Sequence, residues 1–173
     1  MLINIAGWLP ATLVNGPGVR CTVFVQGCPH ACEGCYNPST HSFEVRRLVD
    51  TAKIIAEIKR RSKLLDGITF SGGEPMCQPE ACKEIADAAH EMGLNVWCYT
   101  GFTWNALMKE ADPLRMALLE SVDVLVDGPY IESLRTTDLL WRGSKNQKLI
   151  DVPKSLREGR RVEVKNEDHL YGF

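Results

Sequence analysis

Three cysteines stand close together in the first quarter of this chain. Cys28, Cys32 and Cys35 occupy the stretch CPHACEGC, and the whole chain contains seven cysteines. Thiolates are the ligands that iron and zinc sites select, and this crowding is more typical of a metal site than of a secreted disulfide framework. Three protein ligands leave one metal position open, where a substrate can bind. These three residues, the cysteine triad, therefore predict a reactive metal centre such as a four-iron, four-sulfur cluster.

Two other kinds of metal site remain open on spacing alone. A closed zinc site would need a fourth ligand from His30, His41 or a distant cysteine. An electron-transfer ferredoxin would need four cysteines for each cluster, and no further cysteine stands at ferredoxin spacing. Either alternative would make the protein a metal-binding or electron-carrying module instead of an enzyme.

The elements that must position the triad alternate between short apolar strands and longer helices. Strands are predicted at 20–26, 67–71, 95–99 and 122–126. Helices are predicted at 45–58, 79–92 and 103–120, the last with an interruption near Pro113. This alternation predicts parallel βαβ units, in which functional loops lie at the carboxyl ends of the strands. The triad and the later glycine-rich and polar motifs all follow such strands.

The number of units favours an α/β fold in the form of a partial, open βα barrel. Four strand and helix pairs are too few to close an eight-fold barrel, and a doubly wound sheet is the alternative. We expect a single domain over residues 1–173, with a core at about 15–147 and a C-terminal extension at 151–173. Within the extension, residues 160–165 (RRVEVK) alternate like a strand exposed on one face.

Composition and charge restrict the partners and the compartment. The formal net charge of -2 gives no global electrostatic reason for binding nucleic acid or an anionic membrane surface. No run of apolar residues approaches the ~20 needed to span a bilayer, and the first ten residues do not follow the pattern of a secretion signal. We therefore expect a cytoplasmic protein with reduced thiols.

The motifs together resemble a known family. The spacing C-x3-C-x2-C is the signature of the radical S-adenosylmethionine superfamily, and residues 14–40 (VNGPGVRCTVFVQGCPHACEGCYNPST) resemble the small activating enzymes of glycyl radical enzymes. Within that branch, C-x-G-C-Y-N, S-G-G-E-P, V-L-V-D-G and W-R-G-S-x-N-Q are most similar to the activating proteins of anaerobic ribonucleotide reductases. The last motif, Trp141–Gln147, favours that group over the pyruvate formate-lyase activators.

The resemblance implies a function and its cofactors. It implies a radical S-adenosylmethionine oxidoreductase that holds a 4Fe-4S cluster on the triad and cleaves S-adenosylmethionine reductively. The resulting radical would remove hydrogen from a glycine of a partner glycyl radical enzyme, here an anaerobic ribonucleotide reductase. The electron would come from a flavodoxin- or ferredoxin-type donor. The alternatives are another glycyl radical enzyme such as pyruvate formate-lyase, or a small molecule, as the substrate.

The same resemblance implies which residues contact the S-adenosylmethionine. Gly72, Gly73 and Glu74 correspond to the family element for the methionine ammonium group, and two glycines let a backbone approach a ligand closely. On this basis Gly73→Val is expected to weaken cofactor binding and to leave the iron content nearly unchanged. The remaining candidates are Gly34 and Tyr36 beside the last triad cysteine, for the adenine, and Thr100 and Asp127 after the later strands, for the ribose.

Other residues have less specific expectations. Some activating enzymes carry a lysine at the position of Pro129, so Arg142 or Lys145 are candidates for that contact. Lone cysteines are more often small buried hydrophobes than ligands, which applies to Cys21, Cys77, Cys82 and Cys98, with Cys77 closest to a motif. His30, Trp104 and Trp141 are expected to serve packing or loop hydrogen bonds.

Overall fold

One mixed sheet with helices against it forms the structure, a computed structural model that describes residues 1–164. Within that range the strands are β1 (Leu2–Thr12), β2 (Arg20–Val25), β3 (Leu48–Asp50), β4 (Gly67–Gly72), β5 (Asn95–Tyr99), β6 (Val124–Asp127) and β7 (Lys148–Asp151). The helices are α1 (Thr51–Arg61), α2 (Pro79–Glu91), α3 (Trp104–Glu110), α4 (Pro113–Glu120) and α5 (Val152–Glu158). The strand order is β3-β1-β2-β4-β5-β6-β7.

The four predicted strands form the parallel centre of the sheet. β2, β4, β5 and β6 are neighbours in that order, and each pair is parallel. β1 and β3 on one side and β7 on the other are antiparallel to their neighbours. The prediction of parallel βαβ units is therefore confirmed, and all four central strands end at the same edge of the sheet.

The two faces of the sheet have different roles. Alternate residues of a strand point to opposite faces, so Cys21, Val23 and Val25 of β2 pack into the main hydrophobic core with the helices. On the opposite face, Trp97 packs in a smaller cluster whose other buried members are Val124, Val126 and Leu149. The helices therefore cover one face and leave the carboxyl edge and the second face for the loops.

The first helix is shorter than the sequence pattern predicts. Helical spacing from Val45 predicted a helix over 45–58, but α1 begins at Thr51, and Leu48–Asp50 forms β3 against β1. Asp50 caps the helix by accepting a hydrogen bond from the Ala52 N–H. The apolar residues before Asp50 fit helical spacing by coincidence, because a three-residue strand is too short to display its own period.

The predicted starts of the other helices are confirmed. Pro79 begins α2, and Gly93 follows that helix with a φ of +75°. Thr103 caps α3 by accepting from the Ala106 N–H, and Asp112 caps α4 by accepting from the Leu114 and Arg115 N–H groups. Each is a local signal that tertiary contacts did not override.

The sequence prediction missed two elements after Trp141. β7 and α5 follow it, and α5 buries Val152 and Ser155. The strand predicted over 160–165 is reduced to a single bridge between Ile150 and Glu163, and its last residue lies outside the described part of the chain, as does the rest of the tail. None of the helices within residues 1–164 is long and apolar enough to cross a membrane.

Candidate active site

The three triad cysteines line one pocket at the carboxyl edge of the parallel strands. This cysteine pocket is also lined by the loops that follow β4, β5 and β6. The end of β4 contributes Ser71 and Gly72, and the loops contribute Gly73, Thr100, Gly101 and Gly128. The structure therefore brings together motifs that are up to 100 residues apart in sequence, as expected for βαβ units.

The loop that carries the triad is held by backbone hydrogen bonds. The Cys28 N–H donates to the His41 carbonyl (3.1 Å), and the Cys35 N–H donates to the Cys32 carbonyl (3.2 Å). The Asn37 N–H lies 3.3 Å from the Cys35 Sγ. Partial burial raises the pKa of the Cys28 thiol, and all three thiols are free. A loop fixed in this way presents three sulfur ligands to one space.

Within the described residues the triad does not form a ready-made closed zinc site. In residues 1–164 no three His, Cys, Asp or Glu side chains converge closely enough to hold one metal ion. His30 lines the pocket, but its Nε2 lies 2.8 Å from a Glu74 carboxylate oxygen, and His41 does not line the pocket. A four-iron cluster instead bonds each thiolate to a separate iron, so its ligands are spread around the cluster.

The backbone of Gly73 lies directly against the backbone of Gly27. The Gly73 N–H donates to the Val25 carbonyl and the Glu74 N–H to the Gly27 carbonyl, both at 2.8 Å. A Cβ at Gly73 would lie 2.4 Å from the Gly27 carbonyl oxygen. Because Gly27 directly precedes Cys28, a side chain at Gly73 would displace the triad loop as well as the glycine loop. The sequence analysis expected glycine here so that the backbone could approach a ligand, whereas the structure requires glycine for contact with the Gly27 backbone. Gly73→Val is therefore predicted to lower the iron content as well as the affinity for the cofactor.

Gly72 has a separate backbone requirement. Its φ is +92°, in the left-handed region that favours glycine, and a Cβ there would lie 2.8 Å from backbone atoms of Phe24 and Val25. Both glycines line the cysteine pocket. The turn after β4 can therefore expose its backbone amides and carbonyls to a ligand while it packs against β2.

Glu74 lies behind the pocket wall. Its side chain is 0% exposed and is absent from the pocket lining. One carboxylate oxygen accepts from the Met76 N–H and the Thr100 hydroxyl, and the other contacts His30 and accepts from the Gly101 N–H. The carboxylate is thus fully occupied by protein donors.

Thr100 and Asp127 differ in their relation to the pocket. Thr100 lines it, although its hydroxyl donates to Glu74 and accepts from the Phe102 N–H. Asp127 is 3% exposed and does not line it. Its oxygens accept from the Trp104 N–H (2.7 Å) and the Lys148 N–H (3.3 Å), and burial raises its pKa. Asp127 therefore ties the starts of α3 and β7 to the end of β6.

Gly34 and Tyr36 contact the segment 129–147, which we call the strap. Tyr36 lines the pocket, and its ring packs at 5.1 Å, tilted, against that of Tyr130. Gly34 does not line the pocket. Its φ is +71°, and a Cβ there would lie 2.1 Å from a Glu132 carboxylate oxygen. Gly34 therefore allows the strap to pack directly on the triad loop.

The Trp141–Gln147 motif fixes the strap to the end of β6. The Gln147 side-chain oxygen accepts from the Gly143 and Ser144 N–H groups, and its amide nitrogen donates to the Gly128 carbonyl (3.1 Å). The Asn146 amide donates to the Pro129 carbonyl (2.8 Å). The sequence analysis did not identify Tyr130 and Gln147 as pocket residues. Only the motif around Gln147 pointed to that part of the chain.

A larger groove continues from the cysteine pocket. It has a cavity volume of about 850 Å³ and is lined mainly by the strap on one side and by Val14 and Asn15 on the other. The two spaces share Tyr36, Asn37, Ser71, Tyr99, Tyr130 and Gln147. Arg142 lines the groove, and partial burial lowers its pKa, whereas Lys145 lines neither space. Of the two basic candidates, only Arg142 is close to the site.

The other four cysteines do not line the pocket. Cys21, Cys82 and Cys98 are buried in the core, and burial raises the pKa of Cys21 to about 12. Cys77 is half-buried with a pKa raised to about 11, again by burial, and does not line the pocket. The expectation of buried, structural thiols is thus confirmed for three of the four.

Comparison with known proteins agrees with this geometry. Residues 14–150 match the family described as a 4Fe-4S single cluster domain. The anaerobic ribonucleoside-triphosphate reductase-activating protein of Vibrio cholerae is 38% identical over 155 residues, which cover 84% of this chain and 96% of that protein. The protein of the same name from Escherichia coli K12 is 34% identical, and the match covers 84% of this chain and 96% of that protein. The one from Enterobacteria phage T4 is 38% identical, and the match covers 81% of this chain and 88% of that protein.

A solved structure supports the fold. The crystal structure of QueE from Escherichia coli matches with a TM-score of 0.50 and 18% identity, covering 60% of this chain and 54% of that chain. The shared part is the α/β arrangement of strands and helices, and the likeness concerns the fold alone.

Proposed function

The chain belongs to the family of anaerobic ribonucleoside-triphosphate reductase-activating proteins, and on this premise we propose that it activates an anaerobic ribonucleotide reductase by removing hydrogen from a glycine of that enzyme. Its cofactors are a 4Fe-4S cluster and S-adenosylmethionine. The observation that carries the proposal is the convergence of all three triad thiols and the Gly72–Gly73 turn on one pocket.

The triad would hold the cluster through its three thiolates. When bound, the cluster supplies the electron that cleaves S-adenosylmethionine reductively, and the radical produced abstracts the glycine hydrogen. The protein's part is to keep one iron free of protein ligands. His30 lies between Cys28 and Cys32, and its Nε2 is directed to Glu74 instead of to a cluster position.

Different residues that line the pocket would contact different parts of S-adenosylmethionine. We assign the methionine end to the exposed backbone of Gly72 and Gly73 and the adenine end to the ring of Tyr36, all of which line the pocket. Thr100, on the β5 loop, also lines the pocket. Gly34, Glu74 and Asp127 are positioning residues in this proposal, because they lie outside the lining and make their contacts to protein.

The groove beside the strap would admit the glycine-bearing segment of the reductase. A peptide substrate needs an open path to the reacting atoms, and the groove shares six lining residues with the cysteine pocket. Its volume of about 850 Å³ is within the range, about 300–1,000 Å³, of sites that enclose ligands of moderate size. Arg142 would contact the peptide, which makes it the candidate for the basic residue that Pro129 replaces.

The proposal also covers the shape of the chain and its surroundings. Loops after four neighbouring strands line one pocket, which supports a sheet that curves as a partial, open barrel within a single domain over residues 1–173. Pro29, Ala31 and Glu33 are exposed on the triad loop, so a flavodoxin- or ferredoxin-type donor could approach the cluster there. Free thiols throughout the chain support a cytoplasmic location.

The test is activation of a reductase in vitro. The protein is reconstituted with iron and sulfide under anaerobic conditions, reduced, and incubated with S-adenosylmethionine and an anaerobic ribonucleotide reductase. We expect an electron paramagnetic resonance doublet from a glycine-centred radical and the release of 5'-deoxyadenosine and methionine. Cleavage of S-adenosylmethionine without a reductase radical would favour a small-molecule substrate. Absence of any cleavage would favour an iron-sulfur carrier.

A further inference from the structure

A single buried carboxylate joins three loops at the cysteine pocket. Glu74 belongs to the turn after β4, while its partners lie on the triad loop (His30), on the β5 loop (Thr100 and Gly101) and in its own turn (Met76). The four contacts have lengths between 2.8 and 2.9 Å. Since each oxygen has two donors, no lone pair is left for a ligand.

The side chain of His30 is held in a fitted position. Its ring packs edge to face on Phe102 at 4.6 Å, and a Cβ at Gly101 would lie 2.2 Å from the ring. Phe102 in turn lies under the Arg115 guanidinium at 4.5 Å. The imidazole is therefore constrained by packing on one side and by the carboxylate on the other. His30 lies between the first two triad cysteines, so its position controls the path of their loop.

We propose that Glu74 and His30 act together as positioning residues that set the distance between the triad loop and the Gly72–Gly73 turn, and that Glu74 does not touch the cofactor. This inference rests on the proposed function and assigns a role to a glutamate that the resemblance had placed at the methionine ammonium group. The Glu74 carboxylate links the loop that would hold the cluster with the two loops that would hold S-adenosylmethionine. The His30–Glu74 contact therefore fixes the tip of the triad loop to this network, beside the backbone hydrogen bond from the Glu74 N–H to the Gly27 carbonyl.

Two substitutions separate the parts of this network. His30→Leu removes the hydrogen bond to Glu74 and puts an apolar side chain in place of the imidazole. The triad loop is then released from Glu74, whereas the β5 loop stays bonded to it through Thr100 and Gly101. Glu74→Gln affects both loops, because an amide nitrogen in place of either oxygen faces a backbone N–H that it cannot accept from. His30→Gln restores a donor near the position of Nε2 and serves as the conservative rescue.

The first measurement uses the full chain without its cluster. Amide hydrogen exchange is compared in peptides covering 27–37 and 99–103. We expect His30→Leu to speed exchange in 27–37 by roughly 10- to 100-fold, the effect of losing a hydrogen bond to a charged group. The change in 99–103 should be much smaller, because that peptide loses only the packing of the His30 ring and keeps its hydrogen bonds to Glu74. Glu74→Gln should speed exchange in both peptides, and the double variant should match Glu74→Gln. His30→Gln should return 27–37 toward the wild-type rate.

The second measurement uses the reconstituted protein. His30→Leu is expected to bind the same amount of iron per chain, to raise the KM for S-adenosylmethionine by about tenfold or more, and to lower kcat less. The spectral change of the reduced cluster on addition of S-adenosylmethionine should require correspondingly more cofactor. His30→Gln should recover most of the affinity. His90, which pairs with Asp123 at 2.9 Å far from the pocket, provides the matched controls His90→Leu and His90→Gln, which should behave as wild type in both measurements.

Two results would overturn the inference. One is wild-type exchange in 27–37 for His30→Leu. The other is a raised KM in Glu74→Gln combined with a normal KM in His30→Leu, which would mean that Glu74 contacts the cofactor directly. A protein that yields no glycyl radical in any form would contradict the proposed function, whereas the exchange rates would still decide whether the two residues couple the loops.

Discussion

Gly73→Ala tests whether the glycine loop is required for contact between backbones. The Cβ added at this position would lie 2.4 Å from the Gly27 carbonyl oxygen, where ordinary van der Waals contacts begin at 3.4 Å. The two backbones must therefore separate by about 1 Å, because neither is the movable end of a side chain. The φ of Gly73 is not in the left-handed region. Alanine can therefore adopt the backbone conformation of Gly73, and the cost of the substitution comes from the steric clash alone.

The cost follows from that displacement. A separation of about 1 Å lengthens the 2.8 Å hydrogen bond from the Glu74 N–H to the Gly27 carbonyl beyond bonding distance. Overpacking costs about 1–3 kcal/mol, and the lost hydrogen bond adds about 1 kcal/mol. We expect a total of roughly 2–4 kcal/mol, which a domain with a typical stability of about 5–15 kcal/mol survives.

The assay is urea unfolding of the protein without its cluster, followed by tryptophan fluorescence. Gly7→Ala is the matched control, because a Cβ at Gly7 would meet nothing within 4 Å, and its effect should stay within about 0.5 kcal/mol. After reconstitution, Gly73→Ala should lower both the iron content and the affinity for S-adenosylmethionine, since the triad loop moves with Gly27. A variant as stable as Gly7→Ala, with normal iron content, would refute the packing argument.

Three further outcomes are expected. Alanine at any one member of the cysteine triad should abolish the visible absorbance of the reconstituted cluster, whereas Cys77→Ala, outside the pocket, should retain absorbance and turnover; cluster loss in Cys77→Ala would point to a fourth ligand. Gln147→Leu removes three hydrogen bonds that hold the strap. When radical yield is titrated against each substrate, the KM for the reductase should therefore rise more than the KM for S-adenosylmethionine. Equal changes in the two KM values would mean that the strap does not take part in reductase binding. Glu57 accepts hydrogen bonds from Arg60 and Arg61, which lower its pKa to about 2; because the pKa is lower in the folded state, this stabilisation is present above pH ~4.5 and is lost as the pH falls toward 2. The stability difference between wild type and Glu57→Gln, from urea unfolding without the cluster, should therefore shrink over that range, and a pH-independent difference would exclude the carboxylate as its source.

Local signals in the sequence predicted the parts of the protein that depend on nearest neighbours. The four parallel strands, the starts of α2 and α3, and the three clustered cysteines all follow from residue type and short-range spacing. The alternation of strands and helices also predicted that the motifs would meet, since the carboxyl ends of parallel strands share one edge. The triad and the Gly72–Gly73 turn lie at that edge and line one pocket.

Tertiary structure alone decided what the polar residues of the motifs contact. Glu74 and Asp127 follow strands as cofactor-binding residues do, yet both turn inward, because backbone N–H groups at neighbouring loop and helix starts need acceptors that only a folded sheet brings near. Spacing could not reveal β3, whose three residues are set by pairing with β1, or the strap, whose position depends on side-chain amides bonding to the end of β6. The sequence thus determined which residues could form the site and the sheet edge on which they lie. Long-range hydrogen bonding decided which of these residues face the pocket.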